Sequence, residues 1–342
     1  MLAGALRRNE DTTPLVERPA ERTVVLAIPY ESDGFPAGSL APSAPNLPVT
    51  WDDVLGAAVT VGRPNRQYVF QHGQASMYEA LFRWSLVRMA LEQSGPWGRR
   101  LQRTSAAKTL DPTEKGAVNY FLGMTFCKLF AEKLLNTPWL LHLDVFRPTL
   151  NAVLTRRSRP DLVGQEFGFG QWHAFECKGR ISPPGEAVKK KAKAQAQRLV
   201  SINGTPCTLH VGAVTYLKGE SLRFYWRDPP PEDEGGLNLQ VTDDAWGYYY
   251  RPIVELVRAG APAGHDVGSG VLVDIEAADI RVGLHPRIAK LLYADEWERA
   301  RQEALEAADA IRRDGFRQDG LRIVAGGSWS VPFLDSGLGE KR

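Results

Sequence analysis

The sequence predicts an α/β protein in which helices flank a mixed central sheet. Helical and strand-like patterns follow the order α-β-β-β-α-β between about residues 111 and 217. A content of 43% hydrophobic and 24% charged residues is typical of a globular chain. The patterns divide the chain into a Pro-rich and then helical N-terminal extension (1–110), an α/β core (111–220) and an acidic C-terminal region of strand and helix (221–342).

The first helix of the core begins at residues 111–114, which read Asp-Pro-Thr-Glu. They combine an N-cap, a proline at the first helical position and a glutamate at N3, which is the pattern of a capping box. We expect this helix to end near Leu135, before Pro138. Because its residues are apolar almost all round, the helix is predicted to be central and buried.

The other elements follow from alternation, turn residues and helical spacing. In the core we predict strands at 139–146, from 160 onward, at 172–178 and at 209–217, with a helix at about 185–201. Outside the core we predict a strand at 23–28, helices at 74–93 and 246–257, an extended segment at 271–282 and a long charged helix at 286–314.

The second and third core strands form a predicted hairpin. A loop centred on residues 168–171 would pair Asp161 with Lys178 and Val163 with Glu176. Asp161, Glu176 and Lys178 would then converge on one face of the sheet. A loop one residue longer or shorter would turn Asp161 to the other face, so the register tests the prediction.

Two carboxylates and an ammonium group in a mostly apolar hairpin need a common partner. A salt bridge uses only one of the carboxylates, whereas a hard cation such as Mg²⁺ satisfies both and keeps positions for water and phosphate. Asp161 and Glu176 are therefore the expected metal ligands, together with the backbone carbonyl of Cys177. Lys178 would orient a water molecule or stabilise a transition state.

At these residues the sequence resembles a known family. Pro160-Asp161 followed by Glu176-Cys177-Lys178 is similar to the PD-(D/E)xK signature of restriction-endonuclease-like nucleases, whose common core has the same element order. The resemblance covers residues 111–217, about a third of the chain. It implies a restriction-endonuclease-like core that hydrolyses phosphodiester bonds with Mg²⁺ (or Mn²⁺), in restriction, anti-phage defence or repair. The alternative is a non-catalytic nucleic-acid-binding or assembly subunit on the same fold.

The resemblance also implies a glutamine on the helix after the third strand, and Gln195 (or Gln197) matches it. Gln195 belongs to a helical stripe that should face the sheet, formed by Val188, Ala192, Gln195 and Leu199. The RecB-like form carries a tyrosine four residues later, where this chain has Leu199. A structural hydrogen bond from Gln195 to the backbone is the open alternative.

The resemblance to the PD-(D/E)xK family also implies an acidic residue on the first core helix. Glu132 and Glu114 are the candidates, and Glu114 already has a capping role, so Glu132 is preferred as a catalytic residue. The alternative is that Glu132 is an ordinary charge near a helix end.

The net charge of +2 hides a basic middle segment. Residues 111–220 carry 15 Lys or Arg against 9 Asp or Glu, and residues 221–342 carry 15 against 21. A basic segment favours a nucleic acid partner, with DNA expected first. The candidate phosphate-binding residues are Lys189, Lys190, Lys191, Lys193 and Arg198, and a solvated helix face is the alternative.

The remaining expectations concern partners and compartment. The acidic C-terminal region could bind a protein partner or pack around the core, and a homo-oligomer is left open. Three scattered cysteines predict reduced thiols and a cytoplasmic protein. The sequence contains no long apolar run, so no membrane association is expected.

Overall fold

The computed structural model describes residues 24–40, 45–61, 75–146, 159–168, 170–228, 236–261, 270 and 272–333. Its strands and helices, in chain order, are β1 (Leu26–Asp33), β2 (Asn46–Val49), α1 (Trp51–Thr60), α2 (Ala75–Ala90), β3 (Leu91–Ser94), β4 (Arg100–Arg103), α3 (Ser105–Thr109), α4 (Pro112–Leu135), β5 (Trp139–His142), β6 (Leu162–Gln165), β7 (Trp172–Arg180), α5 (Glu186–Ala196), β8 (Leu199–Ile202), β9 (Thr205–Lys218), β10 (Ser221–Arg227), β11 (Leu237–Leu239), α6 (Gly247–Gly260), β12 (Leu272–Ile275), β13 (Ile280–Leu284), α7 (Pro286–Tyr293), α8 (Trp297–Glu306), α9 (Ala308–Arg313) and β14 (Leu321–Ala325).

A mixed sheet organises the core, as the α/β class predicts. Its main path runs β2-β1-β10-β9-β7-β6-β5. The β7–β9 and β1–β10 pairs are parallel, whereas β5–β6, β6–β7 and β9–β10 are antiparallel. Strand β1 comes from the N-terminal segment, so that segment contributes to the central sheet. Strands β12, β13 and β14 form a separate antiparallel sheet.

Helices α4 and α5 cover opposite faces of this sheet. A Cβ atom added to Gly179 on β7 would lie 1.6 Å from the carbonyl oxygen of Asn119 on α4, so α4 packs on the face of odd-numbered β7 residues. A Cβ atom added to Gly212 on β9 would lie 2.6 Å from the backbone nitrogen of Lys193 on α5. Gly212 is in register with Glu176, so α5 packs on the face of even-numbered β7 residues.

The beginning of α4 agrees with the sequence. Asp111 caps the helix by accepting from the amides of Thr113 and Glu114, and the Glu114 carboxylate accepts from the Asp111 amide. The prediction that α4 is buried along its length was wrong for its first turns, which are largely exposed. From Leu122 onward the helix is mostly buried between the sheet and its neighbours.

Two other elements differ from the sequence predictions. Helix α5 ends at Ala196, and Leu199, which was predicted to be helical, opens strand β8, because residues 199–202 pair with β9 and β11. The long helix predicted at 286–314 is divided into α7, α8 and α9. The first break contains Asp295 in a left-handed conformation, with a φ of 59°, which a helix cannot continue.

The acidic C-terminal region packs against the core, which is one of the two roles that the sequence left open for it. The Trp139 indole on β5 donates to the Tyr250 hydroxyl on α6 at 2.9 Å. The guanidinium of Arg301 on α8 lies 4.5 Å from the Trp139 ring centroid and 3.5 Å from that of Trp246. Within the described residues no helix combines the length and apolar character needed to cross a bilayer.

Candidate active site

The β6–β7 hairpin brings the predicted residues together with a register different from the predicted one. Leu162 pairs with Phe175, and the loop closes where the Glu166 amide donates to the Gln171 carbonyl at 2.9 Å. Val163 pairs with Ala174, so the predicted pairing of Val163 with Glu176 was wrong by two residues, and Asp161 lies just before the ladder, which begins at Leu162. The carboxyl groups of Asp161 and Glu176 nevertheless lie close enough for each to shift the pKa of the other.

Backbone groups hold Asp161 at the point where β6 begins. Its amide donates to the Phe175 carbonyl at 3.0 Å, and its carbonyl accepts from the Leu143 amide at 2.9 Å. The Cys177 amide donates to Oδ2 of Asp161 at 2.9 Å. Burial raises the pKa of Asp161, and the bond from Cys177 opposes that shift. The carboxylate is therefore fixed by main-chain groups of two neighbouring strands.

Glu176 is the most deeply buried member of the cluster, with a residue exposure of 1%. Its Oε1 accepts from Nζ of Lys178, whereas its buried Oε2 has no hydrogen-bond partner among the described residues. Burial, and then the neighbouring Asp161 carboxylate, raise the pKa of Glu176 to about 8. Two carboxyl groups thus lie close together, with a single ammonium group beside them.

The donor set fits a hard divalent cation. No group of three His, Cys, Asp or Glu side chains suited to a metal ion occurs in the part of the chain that the structure describes. Mg²⁺ is commonly bound through only one or two protein carboxylates, which Asp161 and Glu176 can supply. A cation between them would also satisfy the unpartnered Oε2 of Glu176 and relieve the repulsion that raises its pKa.

The backbone at Cys177 supplies a third candidate ligand. The amide and the carbonyl of one strand residue point to the same neighbouring strand, so the Cys177 carbonyl faces the Asp161 side. The Cys177 thiol points away from the cluster and contacts Cys127 on α4, and burial raises its pKa well above the ordinary value.

Tyr120 on α4 is a residue of the site that the sequence did not indicate. Its hydroxyl lies 3.1 Å from Nε2 of His142, whose Nδ1 accepts from the Asp144 amide at 3.1 Å. Since Nδ1 is an acceptor, the imidazole carries its proton on Nε2 and donates to Tyr120. The Tyr120 hydroxyl keeps its own proton for another acceptor. Partial burial, and then the Asp161 carboxylate, raise the pKa of Tyr120 to about 12.

Close packing between α4 and β7 explains how Tyr120 reaches the cluster. A Cβ atom added to Gly123 would lie 2.9 Å from the amide nitrogen of Gly179, so helix and strand approach almost backbone to backbone. A glycine inside a helix costs about 1 kcal/mol relative to alanine, which makes Gly123 a sequence signal for a close approach. Residues on α4 near Gly123 could have been proposed as site residues on that basis.

The other two predicted catalytic residues, Glu132 and Gln195, lie in different surroundings. Glu132 is buried on α4, where its carboxylate forms ion pairs with Lys128 at 2.8 Å and with Arg317 at 2.5 Å. Burial alone would raise the pKa of Glu132, but Arg317 and Lys128 outweigh it and lower the pKa to about 2. Gln195 is partly buried on α5, and its Oε1 has no hydrogen-bond partner within the described ranges.

The predicted phosphate-binding residues separate into two groups. The prediction that Lys193 binds phosphate was wrong. Its ammonium group is buried against Asp228 and donates to the His210 carbonyl at 2.8 Å. Lys189 lies 4.1 Å from the Tyr225 ring centroid and pairs with Glu186. Lys190 and Lys191 are exposed on α5, and Arg198 is half-buried in the turn that follows.

No protein-family model, curated protein or solved structure matches this chain. The restriction-endonuclease-like core therefore stays a prediction, and so do the boundaries near residues 110 and 220.

Proposed function

We propose that this chain is a metal-dependent nuclease that hydrolyses phosphodiester bonds of nucleic acid, with DNA as the expected substrate. The observation that carries the proposal is the close approach of the Asp161 and Glu176 carboxyl groups, with Lys178 donating to Glu176. Two buried carboxylates side by side are unfavourable unless a proton or a cation lies between them. Active sites are where such arrangements concentrate.

Asp161, Glu176 and the Cys177 carbonyl are the groups that would hold Mg²⁺ (or Mn²⁺). When bound, the cation would supply a water molecule of lowered pKa and neutralise charge on the phosphate. The hydrogen bond from the Cys177 amide keeps Oδ2 of Asp161 in place. Oδ1 is then the oxygen of Asp161 that would bind the cation. Glu176 contributes Oε2, which has no protein donor among the described residues.

Lys178 carries the positive charge that the reaction needs beside the carboxylates. Its ammonium group donates to Oε1 of Glu176 in the metal-free protein. With Glu176 engaged by a cation, Nζ can donate to a phosphate oxygen or to the attacking water molecule, stabilising negative charge that develops in the transition state. Lys178 remains about 30% exposed, so its ammonium group can reach a substrate at the surface.

The surface beside the cluster suits a polyanion. Helix α5 packs on the same face of the sheet as Glu176, and it presents Lys190 and Lys191 to solvent. Contacts between lysines and backbone phosphates are independent of sequence and weaken steeply with salt. These two residues remain candidates for substrate binding, whereas the buried Lys193 is replaced in that role by its exposed neighbours.

The test is to incubate the purified protein with plasmid DNA, single-stranded DNA and RNA in Mg²⁺, Mn²⁺ or EDTA. Asp161→Ala and Lys178→Ala are compared with Lys290→Ala, which removes an exposed lysine on α7. We expect cleavage in Mg²⁺ or Mn²⁺ that is lost in EDTA and falls by about 10²-fold or more in both site variants. The Lys290→Ala variant should cleave like the parent protein.

Two results would contradict the proposal. Cleavage that either site variant retains in full would remove that residue from the reaction. Nucleic acid binding without cleavage under every metal condition would favour the alternative, a non-catalytic binding or assembly subunit. Melting temperatures of all variants, measured in EDTA, separate loss of activity from loss of folding.

A further inference from the structure

A row of exposed aromatic rings leads from α2 to the candidate active site. Tyr78 and Phe82 on α2 are 49% and 51% exposed, and Tyr120 on α4 is 41% exposed. Tyr78 lies one helical turn before Phe82 and therefore on the same side of α2. Phe121 joins the two helices, since its ring centroid lies 5.6 Å from those of both Phe82 and Tyr120.

The packing beneath these rings holds them in place. Arg83, which is 5% exposed, donates from Nη1 to the carbonyls of Ala58 and Val61 at 3.3 and 3.1 Å. Its guanidinium lies 5.7 Å from the Phe121 ring centroid, where a cation–π contact is favourable. Helix α2 is thereby tied both to the segment around α1 and to α4. The aromatic row is a preorganised surface, which lowers the entropy cost of binding a ligand.

Tyr120 makes the aromatic row continuous with the reaction site. Its ring is the last of the row, and its hydroxyl lies 3.1 Å from Nε2 of His142, which pairs with Leu162, the residue after Asp161. A ligand lying along Phe82 and Tyr120 would therefore extend toward Asp161.

We propose that Tyr78, Phe82 and Tyr120 stack with unpaired bases, so that the chain acts on a single-stranded nucleic acid or a single-stranded end. This inference rests on the proposed nuclease function and specifies its substrate. Base faces are accessible to an aromatic ring only where they are not covered by neighbouring base pairs. Stacking is tolerant of sequence because every base has a π face, so the aromatic row predicts a preference for strand form and not for a sequence.

Both single-stranded DNA and single-stranded RNA offer this chemistry, and the experiment separates them. Fluorescence anisotropy in EDTA measures binding of oligonucleotides of about 16 nucleotides, the upper end of the site sizes known for single-strand-binding folds. The ligands are single-stranded DNA, single-stranded RNA, duplex DNA and an abasic oligomer that keeps the phosphates but lacks the bases. The comparison with the abasic oligomer uses the unaltered protein, so its result does not depend on whether a variant folds.

Phe82→Leu and Tyr78→Leu remove a ring and keep an apolar side chain, and Trp97→Ala removes a ring that is 86% exposed elsewhere on the surface. We expect the unaltered protein to bind a base-containing single strand about tenfold or more tightly than the abasic oligomer and the duplex. Phe82→Leu should lose about tenfold in affinity for the base-containing strand and little for the abasic one. Trp97→Ala should bind like the parent protein.

Equal affinity for abasic and base-containing strands would overturn the inference. So would self-association of the protein that Phe82→Leu abolishes, because the aromatic row would then be a contact between copies of the chain. Metal-dependent cleavage of duplex DNA with no preference for single strands would leave the nuclease proposal standing and reject this one. Base-dependent binding without cleavage in any metal would support the stacking surface and count against the nuclease.

Discussion

The amide of Cys177 donates a 2.9 Å hydrogen bond to Oδ2 of Asp161, in the place where the β6–β7 ladder would otherwise continue. Because the donor is a main-chain amide, the position of the Asp161 carboxylate depends little on which side chain residue 177 carries. The carbonyl of the same residue points to the Asp161 side of the strand, as its amide does. One backbone position thus organises two of the three groups that would bind a cation.

Asp161→Asn should separate function from stability. The amide oxygen of asparagine can still accept from Cys177, whereas the negative charge is lost. Because burial raises the pKa of Asp161, its charge is unfavourable in the metal-free protein, and we expect the melting temperature in EDTA to be unchanged or higher. Cleavage in Mg²⁺ should fall by about 10²-fold or more. The matched control is Asp309→Asn on α9, and an Asp161→Asn variant that is destabilised yet fully active would contradict the assignment.

Affinity for Mg²⁺ should rise with pH. Glu176, with a pKa raised to about 8, binds a proton at neutral pH in the metal-free protein, and a cation must displace it. We expect the affinity to increase between about pH 6 and pH 8 by at most tenfold per unit, and one proton to be released per cation near pH 7. Titration calorimetry in buffers of different ionisation enthalpy counts that proton. A pH-independent affinity would show that Glu176 is not a ligand.

Glu132→Gln should damage the fold without removing the metal site. The substitution leaves the buried Lys128 without its ion-pair partner and leaves Arg317 paired with Asp319 at 3.5 Å. Breaking a buried ion pair in this way costs about 3–5 kcal/mol, which urea denaturation in EDTA would measure. Calorimetric Mg²⁺ stoichiometry of the folded variant should equal that of the parent protein. If the Glu132→Gln variant were instead stable but unable to bind Mg²⁺, Glu132 would be restored to the site.

His173→Leu should make the protein less sensitive to mild acid. Burial lowers the pKa of His173 to about 4, so the unfolded chain binds a proton between about pH 6.5 and pH 4 that the folded chain does not. The stability of the parent protein should therefore fall as pH decreases through this window, by up to about 3 kcal/mol from this group. Urea denaturation at pH 7 and pH 4.5 compares the two proteins. An unchanged pH dependence in the variant would exclude His173 as the source.

Local signals in the sequence were sufficient to predict the secondary-structure elements that carry the site. The capping box at Asp111 predicted where α4 begins, and the hairpin prediction placed Asp161 close to Glu176 and Lys178. The hairpin register was missed by two residues, because a turn of unknown conformation sets hairpin register. Asp161 does not depend on that register, because it lies just before the first paired residue, Leu162, and the Cys177 amide holds its carboxylate.

Contacts between residues distant in sequence could not be predicted from these local patterns. Helical spacing extended α5 to Leu199, whereas pairing with β9 and β11 makes that residue part of a strand. Lys193 belonged to a basic run, and only Asp228, 35 residues later, makes it a buried cation. Glu132 looked like a charge on a helix, but Arg317, 185 residues away, gives it a structural partner.

Sequence alone thus determined the chemical types of the site residues and their approach to one another at one hairpin, because these depend on spacing within one local segment. Tertiary structure decided which charges are exposed, which are neutralised in the interior, and that Tyr120 and the aromatic row adjoin the carboxylates. Those outcomes depend on contacts between distant segments, where burial and charge pairing act across the whole fold and leave no trace in local periodicity.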